Sequence, residues 1–393
     1  MPAVNDGRPP DFQFILKIAS RCNLNCSYCY VYNKGDDSWQ TRPVFMPSEI
    51  FTTSLRRIRS HCVASGQDAV RITFHGGEPC LVGPARFDHW CQEAYDTLAD
   101  VCRVELSLQT NGTLLDEDWI GVLRRHQVSV GLSLDGPRLL HDRSRVDARG
   151  RGSYREAVKG LGLLRDGGLA HQVLTVIQPG ADGLEVHRHL VALGARRINY
   201  LFPDFTHDSV GPVRAAHGLT PCADYLLPIL DDWWTNGTLD VRIAIFWNMA
   251  RVILGGSSQL DLFGPGAYQY VFIESDGAIE GLDVLKICGQ GLAETALHVR
   301  DHEFVDIAAR NPLHKQVMFE GLPRPGACDR CPERESCGGG YLPHRFGTTG
   351  GFDHATIWCA DMLKLFGRLR TLLNVSTDDT AHRRAVLQKE SRL

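Results

Sequence analysis

The stretch FQFILKIASRCNLNCSYCYVY, residues 12–32, opens as an apolar, β-branched run and closes in three crowded cysteines. The run FQFILKIA (12–19) predicts a strand. Cys22, Cys26 and Cys29 then follow within eight positions. In a parallel α/β fold ligands bind at the C-terminal ends of strands, so this loop stands where a site belongs. Three thiolates in one loop can hold one metal ion or one face of a cluster. A structural zinc site wants a fourth protein ligand. A [4Fe–4S] cluster on three cysteines leaves one iron open to another ligand.

Outward from this loop the chain keeps a regular rhythm to about residue 205. Strands are predicted at 12–19, 70–75, 104–109, 128–134, 171–177 and 197–202. Helices fall near 47–65, 84–100, 116–126, 153–167 and 183–193. Pro47-Ser48-Glu49 and Asp116-Glu117-Asp118 place acids in the first turns of two of them. Six β-then-α units in series predict an α/β fold, a partial (β/α)6 TIM-like barrel with right-handed crossovers. Beyond 205 the rhythm breaks. The expected division is an N-terminal segment 1–11, the barrel 12–205, a helical bridging region 206–263, a small cysteine-rich domain 264–375 and a loose charged tail 376–393. A hairpin is predicted to turn at Asp276-Gly277. The Trp-rich stretch 233–247 reads as buried helical core, with a binding surface as the alternative.

The totals exclude several classes. The net charge of −4 over 393 residues carries no field suited to nucleic acid or acidic membranes. No apolar run is long enough to span a bilayer and no signal-peptide core is present, which reads as cytoplasmic. Thirteen cysteines in such a protein are not a disulfide framework. Cys62, Cys91, Cys102 and Cys222 are scattered and read as ordinary buried thiols.

Each further strand end carries polar groups. The second ends in His75-Gly76-Gly77-Glu78-Pro79, the third in Gln109-Thr110-Asn111-Gly112, the fourth in Ser133-Leu134-Asp135-Gly136-Pro137. Paired glycines permit close approach of a ligand, and a carboxylate can grip an ammonium group. One Gly-Gly or Asp-Gly is usually a plain turn; motifs at four successive strand ends are a site.

The three-cysteine loop with Tyr28 before its last cysteine, followed by Gly-Gly-Glu-Pro, resembles the radical S-adenosylmethionine (SAM) enzymes. The resemblance spans about 12–205. It implies a [4Fe–4S] cluster on Cys22, Cys26 and Cys29 whose open iron takes the amino and carboxylate groups of S-adenosylmethionine. Reductive cleavage would then release a 5′-deoxyadenosyl radical. It also implies that Gly76, Gly77 and Glu78 face the methionine end, that Asn111, Ser133 and Asp135 lie near ribose or carboxylate, and that Arg145 contacts the carboxylate. An external electron donor of flavodoxin or ferredoxin type is required.

Cys328-x2-Cys331-x5-Cys337, with Cys359 twenty-two residues on, is similar to the SPASM extension of peptide-modifying radical enzymes. These four match the second auxiliary [4Fe–4S] cluster; a closed four-thiolate zinc site is the alternative. Two expected ligand positions of the first auxiliary cluster hold Leu282 and Tyr341 instead, so that cluster is expected to be absent. Cys288 is left as a free thiol or a substitute ligand. GLDVLKICG (281–289) with GGGYLPHRF (338–346) resembles maturases of ribosomal peptides that form three-residue cyclophanes, joining an aromatic ring carbon to a β-carbon two residues later. By resemblance Asp283 is a base, and Tyr341, His344 and Arg345 line the same cavity on the substrate side. The implied partner is a precursor peptide. With a first strand near residue 12, no fused leader-binding domain is expected before it. The rival readings are thioether formation or oxidation of Cys/Ser to formylglycine, and, from another class, a non-catalytic Fe–S or zinc scaffold.

Overall fold

In a computed structural model, residues 11–237, 240–264 and 266–390 are described. The expected segment 1–11, apart from Asp11, lies outside them, as do the last three residues of the tail. The chain forms two compact units. The first comprises residues up to Leu134, Arg138–Val173 and Ala267–Glu320; the second comprises Asp135–Pro137, Leu174–Gly266 and Gly321 onward.

The first unit carries strands β1 (Gln13–Ala19), β2 (Ala69–Gly76), β3 (Arg103–Thr110) and β4 (Ser129–Ser133). Helices α1 (Ser48–Ser65), α2 (Pro84–Leu98), α3 (Glu117–Arg125), α4 (Arg138–Ser144) and α5 (Tyr154–Asp166) belong to it as well. The six ranges predicted from β1 to α3 are met within two residues. Asp116 caps α3: its carboxylate accepts from Trp119 N at 3.0 Å. The short α4 was not foreseen.

The strands pair in parallel, β1 with β2, β2 with β3 and β3 with β4. Alternation along them separates two faces. Phe14, Leu16, Ile18, Val70, Ile72, Phe74, Leu106 and Leu108 are buried. On the helix side, Phe51 stacks on Trp90 at 4.7 Å and Phe74 meets Phe87 at 4.7 Å. The opposite face holds polar groups in register. Lys17 pairs with His75, and Thr73 Oγ1 lies 2.7 Å from Ser107 Oγ. Gln109 Nε2 donates to Ser133 Oγ at 3.2 Å.

The predicted hairpin forms, with β8 (Tyr270–Ile273) and β9 (Ala278–Glu280) joined through Gly277 at φ +97°. Its placement corrects the expected boundary at 264. Strand β8 pairs in parallel with β1, and β10 (Glu294–His298) adds to β9, so 267–320 extends the same sheet. An unpaired edge at β1 would leave its N–H and C=O groups bare; the hairpin fills it.

Strand β5 (His171–Val176) has residues in both units. The second unit continues with α6 (Gly183–Ala192), β6 (Arg197–Leu201), α7 (Gly211–His217), α8 (Pro221–Thr235), β7 (Arg242–Ile243) and α9 (Ala244–Ile253). Strand β6 pairs in parallel with β7. A helix at Cys359–Leu373 packs on α8 and α9. The Trp-rich stretch is mixed: Phe246 is buried, whereas Trp234 and Trp247 stay partly exposed. The expected loose tail is corrected. Residues Thr377–Glu390 are helical, started by an S-x-x-D capping box in which Ser376 Oγ accepts from Asp379 N and Asp379 Oδ2 accepts from Ser376 N. No helix among the described residues is long and apolar enough to cross a membrane.

Candidate active site

The cysteine loop is held by its own backbone and by neighbouring asparagines. Cys29 N donates to Cys26 O at 3.0 Å, and Leu24 N to the Cys22 sulfur at 3.3 Å. Asn33 Nδ2 donates to Cys26 O, and Asn111 Nδ2 to Asn23 Oδ1 at 2.9 Å. Asn111 therefore orients the loop from the end of β3. Burial pushes the Cys22 thiol up to about 12, and the charge of Glu78 and the neighbouring Cys26 and Cys29 add to it. Burial also raises Cys29, against the opposing charges of Arg145 and Lys17. Three thiols this close repel as thiolates, and a bound cationic centre removes that cost by taking the place of their protons. The donor set fits a [4Fe–4S] cluster on Cys22, Cys26 and Cys29.

The Gly-Gly-Glu segment lies directly against this loop. Gly77 N donates to Ala19 O at 2.8 Å and Glu78 N to Arg21 O at 3.0 Å. A Cβ on Gly76 would strike Ala19 O; one on Gly77 would strike Tyr32 Oη and Arg21 O. The glycines thus permit close packing of the chain on itself, where the sequence suggested room for a ligand. Gly77→Ala is expected to destabilise the protein by about 1–3 kcal/mol, read as a lowered Tm under anaerobic conditions. Gly162→Ala in α5, where a Cβ meets nothing within 4 Å, should be neutral or slightly stabilising. Equal effects of the two would refute the packing account.

Glu78 is buried, and burial pushes its carboxyl up against three hydrogen bonds that hold it down. Its Oε1 accepts from Cys80 N and Thr110 Oγ1, and its Oε2 from Asn111 N. Arg145, which a solvated surface charge would place in water, is buried with its guanidinium 5.3 Å above the Tyr28 ring. Ser133 accepts from Gln109, as above. Asp135, in the second unit, accepts from Val176 N at 3.0 Å, a backbone tie rather than a free ligand group.

Asp283 sits in a buried ionic cluster that sequence reasoning missed. Its Oδ2 is 2.7 Å from Lys17 Nζ and accepts from Tyr30 Oη at 2.7 Å. Lys17 also meets Glu274 at 2.9 Å. Lys286 bridges Glu274 and Glu280 at 2.6 and 2.7 Å, and Arg42 meets the same two at 2.5 and 2.7 Å. Burial pushes Asp283 up, but Lys17 and Lys286 outweigh it and hold the carboxyl below its usual range. Burial and the charge of Glu274 push Glu280 up to about 7. Asp283 Oδ1 is buried with no partner among the described residues. His75 lies in register with Lys17, and burial lowers it to about 4. The missed signal was period-2 placement: Lys17, His75, Gln109 and Ser133 all fall on one face of their strands.

In the second unit, Cys328, Cys331, Cys337 and Cys359 line one small pocket. Burial raises Cys337 to about 12, with Cys359 and Cys328 adding to it. Burial raises Cys359 too, with Cys331 and Cys328 adding. Four mutually repelling thiols around a small cavity fit a closed metal centre. Among the described residues no three His, Cys, Asp or Glu side chains converge on one point that a single ion could take.

Arg345, expected on the substrate side, makes backbone contacts. It is fully buried, and its guanidinium donates to the carbonyls of Gly340, Gly338 and Pro323 at 2.7–3.0 Å. The planar fork matches converging backbone oxygens, so Arg345 holds the glycine-rich loop 338–340. Its charge also lowers the thiol of Cys337 against burial. Tyr341 is buried, its ring 5.0 Å from His344 and edge-on to it. His344 Nε2 lies 3.0 Å from Asp204 Oδ1, and its Nδ1 is buried with no partner among the described residues. Asp204, three residues past β6, was not foreseen. Asp283 belongs to the first unit, and Tyr341, His344 and Arg345 to the second. Leu282 and Cys288 are both buried in the first.

Comparison with known proteins gives a match over the first part of the chain. Residues 16–191 match the Radical SAM superfamily. The cysteine-type anaerobic sulfatase-maturating enzyme of Clostridium perfringens is 23% identical over 359 residues, 84% of this chain and 89% of that protein. The structure of native anSMEcpe with bound AdoMet and Cp18Cys peptide aligns at TM-score 0.79 and 21% identity, covering 93% of this chain and 98% of that one. Streptococcus suis SuiB bound to precursor peptide SuiA aligns at TM-score 0.53 and 15% identity, covering 85% and 72%. At those identities the structures speak for the fold alone. The chain has a mostly parallel α/β fold, its residues 16–191 match the Radical SAM superfamily, and it is an enzyme.

Proposed function

We propose that this enzyme modifies a ribosomally made precursor peptide, joining an aromatic ring carbon to the β-carbon of a residue two positions later. The reading rests on one observation. The chain has an open set of three thiols and a closed set of four, while Leu282 and Tyr341, both buried, occupy positions where a third set would find ligands. That combination resembles cyclophane-forming maturases more than enzymes with both auxiliary clusters.

When bound, the cluster and S-adenosylmethionine would supply a radical able to take a hydrogen atom from an unactivated carbon. Cys22, Cys26 and Cys29 would hold the cluster. The carboxylate of Glu78 suits the ammonium of the methionine end. Arg145 suits its carboxylate, with Tyr28 beneath the guanidinium. Coupling to a ring carbon requires loss of a ring proton. Asp283 is held ionised by Lys17, and its unpartnered Oδ1 is the acceptor that such a proton would satisfy. Cys328, Cys331, Cys337 and Cys359 would hold the auxiliary cluster as an electron acceptor.

A second reading, oxidation of Cys or Ser to formylglycine, is favoured by the sulfatase-maturating relative and by the same ionised Asp283. Co-expression with small open reading frames beside the gene, followed by tandem mass spectrometry, separates the two. A cyclophane shows a loss of about two hydrogens, no fragmentation between the joined residues and no reaction with hydrazide. A hydrazide-reactive aldehyde in the product would replace the first reading by the second.

A further inference from the structure

Between residues 138 and 159 there are seven Arg or Lys and three Asp or Glu, a net of +4 in a chain whose total is −4. This segment forms α4, a hairpin closed by the bridge between Val146 and Gly152, and the start of α5. The hairpin lies along the cysteine loop. Leu24 bridges Asp147, Asn25 N donates to Val146 O at 2.7 Å, and Ser27 N donates to Ser144 O at 3.0 Å. Asn25 and Ser27 are exposed, whereas the three cysteines between and beside them are only partly so. The basic hairpin therefore borders the place where the thiol loop reaches the surface.

An ordinary solvated face would pair its charges locally. Arg138 and Arg151 do so, with Asp142 and Asp147. Arg143 and Arg149 are exposed and have no acidic partner among the described residues. Leu139, one turn before Arg143 on α4, is 86% exposed. Unpaired arginines and a bare leucine on one segment are the composition of a docking face, with an apolar anchor and a charged rim.

We propose that this face, α4 and the hairpin through Arg151 with Asn25 and Ser27, docks a small acidic protein that delivers single electrons to the thiol loop. The proposal rests on the reading of Cys22, Cys26 and Cys29 as ligands of a redox cluster. The balance is one electron: an anionic flavin hydroquinone on the donor becomes a neutral semiquinone, the cluster gains that electron, and no bond forms or breaks in this chain. Positive charge at the docking face speeds encounter with an acidic partner and loses effect as salt rises.

The test uses the reconstituted, full-length holoenzyme and reduced flavodoxin as the probe. Stopped-flow absorbance follows reduction of the iron–sulfur chromophore, and calorimetry measures binding of oxidised flavodoxin without turnover. Arg143→Glu combined with Arg149→Glu should slow reduction by flavodoxin about 10–100-fold and weaken its binding similarly. Reduction by photoreduced deazaflavin, small and uncharged, should be unchanged. Wild-type reduction by flavodoxin should fall as salt rises. Unchanged flavodoxin rate and binding in the variant would sink the proposal. So would equal slowing with both reductants, which assigns the arginines to support of the loop, or a change confined to the KM for precursor peptide, which assigns the face to the peptide. Failure of the underlying reading looks different: the wild-type chain would hold no reducible chromophore that Cys26→Ala diminishes.

Discussion

Cys26→Ala should abolish formation of 5′-deoxyadenosine, a fall of at least about 10³-fold, since the whole rate enhancement depends on the bound cluster. If the proposed [4Fe–4S] centre at Cys328, Cys331, Cys337 and Cys359 is held as inferred above, iron should drop from about eight to about four per chain. The independence has a structural basis. The two thiol sets belong to different compact units, and each has its own supports. Asn33 and Asn111 hold the first loop, while Arg345 holds loop 338–340 beside the second. Iron analysis, low-temperature electron paramagnetic resonance and chromatography of the reaction mixture read the result. Retained S-adenosylmethionine cleavage, or loss of iron from both sets together, would contradict the assignment.

Glu274→Gln should cost about 3–5 kcal/mol of stability at pH 7, the range for breaking a buried ionic pair from one side. Glu274 faces Lys17, Lys286 and Arg42 at once, all buried. Removing its charge leaves three cations with Asp283 and Glu280 as their buried partners. The pH dependence follows from the sign of the shift. Burial alone would raise Glu274, but the three cations hold it well below the usual carboxylate range. Its contribution is thus complete above the unfolded value near 4.3 and is lost as pH falls toward the folded value. The wild-type advantage over Glu274→Gln should narrow as pH falls below 5; between pH 8 and 5 the comparison also carries the titration of Glu280, which the charge of Glu274 pushes up to about 7. Anaerobic urea titrations at several pH values measure it. A gap that widens on acidification below pH 5 would overturn the account. Replacing Glu274 and Lys286 together by Met should cost less than Glu274→Gln alone, because no buried charge is then orphaned.

Much of the site was legible because its chemistry is local in sequence. The Cys-x3-Cys-x2-Cys loop, the Gly-Gly-Glu run and the second cysteine set are short motifs, and strand-helix alternation placed each at a strand end. The glycines are a limit case. Their presence was readable, but that they admit Ala19, Arg21 and Tyr32 depends on which backbone runs beside β2. Arg345 shows the same limit: resemblance suggested a substrate-side role, yet its guanidinium donates to the carbonyls of Gly338 and Gly340 in the glycine-rich loop and of Pro323 outside it.

What the sequence by itself determined is the order of elements and the two thiol sets, since both follow from spacing along one chain: periods of two and 3.6, and cysteines within one turn or loop of each other. Only the tertiary structure decided which distant charges meet. Lys17, Tyr30 and Asp283 come together because β8 pairs with β1 and carries the hairpin and its following turn to the polar face of the sheet. Arg143 and Arg149 border the thiol loop because the hairpin after α4 bridges to Leu24. A pairing between segments more than a hundred residues apart is selected by the free energy of the whole sheet, and no local pattern encodes it.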